Sequence, residues 1–396
     1  MNNFGYGLRS PYALKNFLRF AYENWGEPLY CLLLGAGTYE YKGKVYEKGV
    51  EKCVKNRLPV YEKGEYVGDY GYIPAGLVCH DWWFGEFTND YYPEISIGRL
   101  PVKTLSNLRE VIDKIVRFEN NFGDYRNKII CVAEDEWSAG HLDLSFTNNM
   151  ENVFVPIIPL NYDVYKIYST EYKGTGQGEQ WKPGENPGEK PGARKELIRA
   201  ISQGAYIVVF WGHGCIEQIA TEKVFVNPQS IEELANENKY CMFYFGSCGV
   251  AAFDRPYQDG MAEYLVTASK KGCVLTIGST RIVSEYMGLS KNMTKSILCD
   301  STKIAGEAFL FALLNSEKQN RVMIGDPLLL LSRRQNKILG IKLSDTLKGG
   351  NKFYIDLVTA MKEGNAIITA FSSAYLDSPD YNVCLLYTSP SPRDRG

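Results

Sequence analysis

Histidine is scarce in this chain of 396 residues, which contains only His80, His141 and His213. Long apolar runs are lacking too, because none approaches the roughly 20 residues that cross a bilayer. The formal net charge of -2 gives no large positive field for capturing nucleic acid or an anionic membrane. We therefore expect neither a transmembrane segment nor a nucleic-acid partner.

The ten cysteines form no CxxC pair, which argues against a zinc knuckle or a thioredoxin-like site. Their scattered spacing does not indicate a disulfide framework. Four of them lie inside apolar runs, where cysteine usually behaves as a small buried hydrophobe: Cys31, Cys131, Cys241 and Cys273. The pattern predicts no metal ligands.

The two ends of the chain carry little information about the fold. The first 20 residues lack the charged and apolar regions of a secretory signal. Residues 384–396, CLLYTSPSPRDRG, resemble the translated read-through of a sequencing adaptor, and we expect a non-native tail there. The gene is then expected to be cut, so that a missing signal peptide excludes nothing.

Five short apolar runs predict strands that are buried on both faces of a sheet, because they are continuous rather than alternating. They occupy residues 29–34, 129–133, 206–211, 240–245 and 273–277. Segments with helical periodicity lie between them, at residues 105–121, 193–203, 230–236, 260–270 and 304–314. This alternation indicates an α/β fold with a mostly parallel sheet.

Two segments interrupt the alternation. Residues 173–192 contain three Pro-Gly dipeptides and almost no apolar residue, which is typical of a long functional or mobile loop. After residue 331 the sequence changes to short alternating runs separated by Gly, Asn and Lys. That change predicts the first strands of a β-sandwich domain.

The motif WGHG, residues 211–214, directly follows one of the predicted strands. The carboxyl ends of parallel strands form the edge where α/β proteins build their sites. Glycines on both sides of His213 allow backbone to approach a ligand closely. We interpret His80, in the segment CHDWWFG, as part of a surface turn instead.

A second motif, GSCG at residues 246–249, follows the next predicted strand and contains Cys248. Neighbouring strands lie about 4.8 Å apart, so the side chains of His213 and Cys248 are expected to meet across one cleft. An adjacent imidazolium lowers the pKa of a thiol, and the resulting thiolate attacks a carbonyl. The pair favours a nucleophilic thiol over an inert buried cysteine.

A Cys–His pair needs a third group that orients the imidazole. The strand at residues 129–133 leads into the acidic residues 134–136, and we predict Asp135 for this role, with Glu134 as the alternative. The backbone N–H groups of Gly214 and Cys248 are the expected oxyanion donors.

Seven blocks in order along residues 10–335 resemble the gingipain-like cysteine peptidases, the C25 family of the caspase-like clan. The blocks are PLYCLLLGAGTY (28–39), DYYPEISIGRLPVKT (90–104), DKIVRFE (113–119), FWGHG (210–214), FGSCGVAAFD (245–254), GCVLTIGST (272–280) and MIGDPLLLL (323–331). This resemblance implies a caspase-hemoglobinase α/β fold with two side-by-side sheet subdomains, residues 1–125 and 126–335. An immunoglobulin-like β domain, cut short at residues 336–383, would follow.

The resemblance also implies a function. His213 and Cys248 match the family's catalytic pair, and Asp135 or Glu134 matches its acid, so we expect hydrolysis of peptide bonds in polypeptide substrates. Two alternatives stay open: a sortase-like transpeptidase of a bacterial secretion system, and a non-catalytic interaction module on the same scaffold. An intact Cys–His pair argues against the second.

Other expectations follow from the same resemblance. Arg281 and Glu285 lie near the expected substrate pocket, without fixing a cleavage preference. No cofactor is required, although the acidic loop AEDE (133–136) is compatible with structural calcium. Family members are commonly exported, which implies the extracellular space or the cell surface of a bacterium and a contact with secretion machinery.

Overall fold

The computed structural model describes most of the chain up to residue 331 and two strands beyond it. The described residues are 2–8, 10–26, 30–39, 58–64, 68–70, 73–74, 76–135, 137–138, 141–142, 144–176, 188–256, 258–283, 287–300, 302–316, 320–331, 338–343 and 355–359. Residue contacts divide the chain into one compact unit, Met1–Ser332, and a second, Arg333–Gly396.

The described strands are numbered in chain order; β1 to β16 belong to the first unit, and β17 and β18 belong to the second. They are β1 (Tyr30–Leu34), β2 (Glu62–Gly64), β3 (Asp69–Tyr70), β4 (Ile73–Pro74), β5 (Leu77–Cys79), β6 (Ser96–Leu100), β7 (Lys128–Ala133), β8 (Trp137–Ser138), β9 (His141–Leu142), β10 (Asp163–Tyr168), β11 (Ile207–Trp211), β12 (Gln218–Ile219), β13 (Phe225–Val226), β14 (Cys241–Gly246), β15 (Cys273–Ser279), β16 (Arg321–Ile324), β17 (Ile338–Leu343) and β18 (Ile355–Thr359).

Eight of these strands form one central sheet in the spatial order β1-β6-β16-β15-β14-β11-β7-β10. The pairs β1/β6, β15/β14, β14/β11, β11/β7 and β7/β10 are parallel, whereas β15/β16 is antiparallel. The predicted α/β class with a mostly parallel sheet is therefore confirmed. Strands from both expected subdomains lie side by side within this single sheet.

The interior strands explain why their sequences are continuously apolar. Every residue of β11, β14 and β15 is buried, as is all of β7 beyond its first residue. A strand covered on both faces has no solvated side where polar residues could alternate. All five predicted strands are present, and each end lies within two residues of the expected one.

Helices flank the sheet. They are α1 (Asn2–Gly5), α2 (Pro11–Asn24), α3 (Leu105–Asn120), α4 (Ser145–Asn149), α5 (Pro191–Gln203), α6 (Gln229–Glu232), α7 (Met261–Thr267), α8 (Gly288–Leu298) and α9 (Ala305–Leu314). The predicted helices at residues 230–236 and 260–270 are shorter in the structure, as α6 and α7. No described helix is long and apolar enough to cross a membrane.

The second unit contains one described antiparallel pair, β17 with β18. A single pair is compatible with a β-sandwich but does not test it, so the immunoglobulin-like domain stays a prediction. The tail at residues 384–396, and residues 177–187 of the Pro-Gly-rich segment, lie outside the described residues.

The expectation of a surface turn at His80 is wrong. Only 9% of this residue is exposed, and its ring stacks on Trp82 at a centroid distance of 4.0 Å. Its ring lies between Trp82 of the same segment and Tyr61, which is 19 residues earlier in the chain; the contact with Tyr61 cannot be read from the local pattern. Burial was predicted correctly for Cys131, Cys241 and Cys273, while Cys31 is only partly buried.

A buried lysine joins α3 to the end of α7. Lys114 is 1% exposed, and the three N–H groups of its ammonium lie within hydrogen-bonding distance, 2.7–3.1 Å, of four carbonyl oxygens, those of Leu265, Val266, Ala268 and Lys271. The last carbonyls of a helix have no partner within the helix. Lys114 therefore satisfies the carboxyl-terminal end of α7 while packing in the core.

We predict that Lys114→Met lowers the free energy of unfolding by roughly 2–4 kcal/mol, because several buried carbonyls lose their donor. Lys195→Met, on an exposed position of α5, is the matched control and should change stability little. Urea unfolding curves of the three proteins provide the measurement. Equal midpoints for the two variants would contradict the assignment.

Candidate active site

The loops that carry His213 and Cys248 adjoin at one edge of the central sheet. Strands β11 and β14 run parallel with Trp211 opposite Gly246, and the Gly212 amide donates to the Gly246 carbonyl at 3.2 Å. His213 comes one residue after that hydrogen bond, and Cys248 two residues after it. The structure thus brings the two predicted residues to the same edge.

The glycines around His213 are required by close packing. A Cβ atom at position 214 would lie 2.7 Å from the hydroxyl oxygen of Ser247, the residue before Cys248. A Cβ atom at position 212 would collide with the side chain of Glu134. Any larger residue at either position would push apart the loops that hold the site.

Glu134 follows β7 and is fully buried. Its Oε2 atom accepts hydrogen bonds from the backbone N–H of His213 at 2.5 Å and from the ring at Nδ1 at 2.7 Å. Its Oε1 atom accepts from the backbone N–H of Thr221 at 2.7 Å. Three donors of this kind stabilise an ionised carboxylate in the interior.

The carboxylate determines the state of the imidazole. A carboxylate only accepts hydrogen bonds, so Nδ1 of His213 carries the proton and Nε2 is left for chemistry. The hydrogen bond to Glu134 raises the pKa of His213 above its ordinary value, and burial opposes that shift. The side chain is still 47% exposed, which leaves the ring accessible to a substrate.

The thiol of Cys248 lies in a half-buried position between β14 and β15. Its sulfur receives the backbone N–H of Val283 at 3.5 Å and lies 3.6 Å from the Val283 carbonyl oxygen. The Ser279 hydroxyl donates to the Ser247 carbonyl at 2.5 Å and accepts from the Gly249 amide at 3.1 Å. These contacts fix the loop on both sides of the sulfur.

The backbone N–H groups of the two expected oxyanion donors, Gly214 and Cys248, are not engaged as that of Gly249 is. Gly214 forms an antiparallel bridge with Ile219, whose hydrogen bonds come from the flanking residues Cys215 and Ala220. The N–H of Gly214 therefore points away from that partner. Within the described residues, neither this amide nor that of Cys248 donates to another protein group.

Asp135 does not face the histidine. It is 6% exposed, and its carboxylate pairs with the ammonium of Lys190, which also donates to the Ser169 carbonyl at 2.6 Å. The structure thus brings Glu134, and not Asp135, to His213. Glu136 and Glu285 lie outside the described residues.

Arg281 lies in the interior and faces other parts of the protein. It is 3% exposed, and its guanidinium donates to both carboxylate oxygens of Asp254 and to the Leu77 carbonyl. No group of three or more acidic, His or Cys side chains that could hold a metal occurs among the described residues. Structural calcium stays a prediction.

Three partners of the site were not indicated by the sequence. Thr221 and Val283 act through backbone N–H groups, which leave no trace in residue type. Phe146 meets the ring of His213 edge to face at a centroid distance of 5.4 Å, but its own segment shows no pattern that points to the site.

The model of peptidase family C25 matches residues 1–332. The chain belongs to peptidase family C25. The predicted gingipain-like family is thereby confirmed, and with it the class of cysteine peptidases.

Two curated relatives are gingipain R2 of Porphyromonas gingivalis strain ATCC 33277 and gingipain R1 of Porphyromonas gingivalis. Each is 24% identical over 254 residues, which are 58% of this chain. Those residues are 31% of gingipain R2 and 23% of gingipain R1. The chain therefore aligns with less than a third of either relative.

Solved structures of gingipain R have a similar fold. The Arg-specific cysteine proteinase gingipain R (RgpB) matches with a TM-score of 0.59 at 19% identity, over 85% of this chain and 72% of that chain. The complex of the RgpB pro- and mature domains of Porphyromonas gingivalis matches with a TM-score of 0.58, also at 19% identity, over 87% and 75%. At this identity the likeness supports the fold alone.

A further carboxyl group, Glu222, is fully buried and interacts electrostatically with Glu134 and Asp135. Burial raises its pKa to about 9, and the charges of Glu134 and Asp135 act in the same direction. A carboxyl whose pKa is higher in the folded protein binds more protons there than in the unfolded chain. Its contribution to stability is complete below about 4.5, the ordinary pKa, and is lost as the pH rises towards 9.

We predict that Glu222→Gln removes this loss, because the amide stays neutral at every pH. Thermal unfolding at pH 5 should give similar midpoints for wild type and variant, and at pH 8.5 the variant should be more stable by several degrees. Glu233→Gln, at an exposed position, is the control without a pH-dependent difference. The prediction would be contradicted if the thermal midpoint of the wild type did not decrease from pH 5 to pH 8.5.

Proposed function

We propose that this chain hydrolyses peptide bonds in polypeptides, with Cys248 as nucleophile, His213 as acid and base, and Glu134 as the orienting carboxylate. The observation that carries the proposal is the contact of the buried Glu134 with both the backbone and the ring of His213. This contact selects the tautomer of His213 with its proton on Nδ1, so that Nε2 is free to exchange a proton with Cys248 and the substrate. Family membership supports the same chemistry.

The proposed reaction forms and then hydrolyses an acyl-enzyme. The imidazolium of His213 stabilises the thiolate of Cys248, which attacks the carbonyl carbon of the scissile bond. The tetrahedral oxyanion accepts hydrogen bonds from the Gly214 and Cys248 amides. His213 then donates its proton to the leaving amine, and water, deprotonated by the same ring, releases the acyl group from sulfur.

Alkylation tests the nucleophile. At pH 6, iodoacetamide should modify Cys248 roughly 10- to 100-fold faster than Cys299, because only the first thiol has an imidazolium to hold it as thiolate. Cys299 is exposed, and desolvation and Asp300 raise its pKa, so it is an internal reference. Peptide mapping by mass spectrometry measures both rates in one sample.

The same experiment with His213→Ala supplies the control. The preference for Cys248 should disappear at pH 6 and the rate at Cys299 should stay the same. Equal rates at the two thiols in the wild type, or an unchanged preference in the variant, would count against a Cys–His pair.

Replacing each acid by its amide tests whether Glu134 or Asp135 orients the His213 ring. Glu134→Gln should lower kcat by roughly 100-fold. Because Glu134 raises the pKa of His213, losing its charge should also move the alkaline limb of the pH–rate profile to lower pH. Asp135→Asn should lower thermal stability, since Lys190 loses its counter-charge, but leave that limb in place. A shifted limb in Asp135→Asn alone would transfer the role to that residue.

The acceptor of the acyl group is decided by the products. Cleavage in the presence of a competing amine should yield free carboxyl termini, and a product that carries the amine would contradict hydrolysis. Export to the extracellular space or cell surface of a bacterium, and a contact with secretion machinery, stay predictions from the resemblance.

A further inference from the structure

The segment that follows β15, residues 280–283, lies against the loop that carries Cys248. The Gly249 amide donates a hydrogen bond to the Arg281 carbonyl at 3.1 Å. Cys248 comes one residue before that hydrogen bond in its loop, and Val283 comes two residues after it in the segment. This pairing of the two backbones brings the main chain of Val283 to the sulfur.

The backbone of Val283 offers a partner to each protonation state of the thiol. Its N–H donates to the Cys248 sulfur at 3.5 Å, and its carbonyl oxygen lies 3.6 Å from the same atom. A neutral thiol donates to a carbonyl, whereas a thiolate only accepts and needs the N–H. A hydrogen bond to the charged form of a group favours that form. The N–H of Val283 therefore lies where it favours the thiolate.

A buried ion pair holds the same segment through its side chains. Arg281 is 3% exposed and Asp254 is 0% exposed. The guanidinium donates to Oδ1 of Asp254 at 3.1 Å and to Oδ2 at 2.5 Å. Asp254 belongs to the loop that carries Cys248, six residues further along the chain. The planar fork of arginine matches a carboxylate with two hydrogen bonds, which fix the orientation of the pair as well as its distance.

The segment is also tied to β5. Nε of Arg281 donates to the Leu77 carbonyl at 3.1 Å, and the Thr280 hydroxyl donates to the Cys79 carbonyl at 2.5 Å. Arg281 thus binds the loop that carries Cys248 twice, through its carbonyl and its guanidinium, and binds β5 as well. Because the guanidinium is buried among these groups, it affects the site through the segment that it holds and not through contact with a substrate.

From these contacts, and resting on the proposed peptidase function, we infer that the backbone N–H of Val283 stabilises the Cys248 thiolate together with the imidazolium of His213. The thiol proton passes to Nε2 of the imidazole, and the sulfur, which keeps the electron pair, accepts the N–H. Arg281 and Asp254 are positioning residues, because their ion pair fixes the segment that presents this N–H.

Replacing Val283 by proline removes the N–H and tests the donor directly. Val283 lies outside the strands and helices, so the fold should tolerate the change. The rate of alkylation of Cys248 by iodoacetamide is measured from pH 4 to pH 10, with Cys299 as the internal reference. In Val283→Pro the pH of half-maximal rate should rise by about one unit, because the thiolate loses a donor.

The alkaline limit of this rate distinguishes a lost hydrogen bond from a blocked sulfur. Every thiol is ionised there, so the limiting rate in Val283→Pro should be no lower than that of the wild type. An unchanged half-maximal pH, or a limiting rate that falls with the substitution, would overturn the inference.

Asp254→Asn tests the ion pair. It keeps the shape of the side chain but leaves the buried guanidinium of Arg281 without its counter-charge, so the urea midpoint should fall. The half-maximal pH of Cys248 alkylation should rise, by roughly half a unit to one unit. Loss of a nearby negative charge would by itself move that pH downwards, so a rise reports the displaced N–H. A less stable variant with the wild-type alkylation profile would overturn the inference.

The chain offers a matched control in its second buried Arg–Asp pair. Asp81 is 1% exposed and accepts from the buried Arg99 at 2.6 and 2.8 Å. Arg99 donates further to the Gly35 carbonyl and meets the loop that carries Cys248 at the ring of Phe253, 4.6 Å from its centroid. Asp81→Asn should lower the urea midpoint by a similar amount and leave the alkylation profile unchanged. Equal shifts of the profile in the two variants would assign the effect to stability and overturn the inference.

Peptide cleavage separates positioning from substrate binding. At pH 6, Asp254→Asn should lower kcat roughly three- to tenfold and leave KM unchanged, because less of the sulfur is thiolate. A raised KM with the wild-type alkylation profile would assign the ion pair to substrate binding and overturn the inference. If the wild type cleaves no polypeptide, the proposed function fails, whereas the alkylation profiles need no substrate and still decide the role of Val283.

Discussion

The arrangement of the candidate site at the edge of the central sheet depends on one buried carboxylate. Glu134 is fully buried, and a charge in that position is stable only if donors surround it. The amides of His213 and Thr221 and the ring of His213 supply them. Losing any one of these donors leaves the buried charge less well compensated, so the loop from His213 to Thr221 is tied to the end of β7.

This tie has consequences for both neighbouring loops. Glycine is needed at position 212 to admit Glu134, and at position 214 to admit Ser247. The histidine loop can therefore lie directly against the loop that carries Cys248. On the far side, residues 279–283 hold that loop through Ser279 and Val283. The loop that carries Cys248 is thus held from both sides.

The sequence predicts those parts of the site that depend on the sheet alone. Strands buried on both faces appear as continuous apolar runs, and parallel strands end at one edge, so the adjoining positions of the His213 and Cys248 loops could be predicted. Adjacent residues of an extended chain point to opposite sides, which means that Glu134 and Asp135 must differ. Which of them meets the histidine depends on Thr221 and Lys190, more than 50 residues away along the chain, and no local pattern contains that information. The burial of His80 depends in part on a similar distant contact, with the ring of Tyr61.

The most direct test of the account is the state of the His213 ring, and the chain suits it because only three histidines are present. Nitrogen-15 NMR of histidine-labelled protein, assigned with His213→Ala, reports which ring nitrogen carries the proton and at what pH the ring titrates. We expect a proton on Nδ1 and a pKa above the ordinary value of about 6.5, which falls when Glu134 is replaced by Gln. A proton on Nε2 in the neutral ring, or a titration that does not change with Glu134→Gln, would contradict the account.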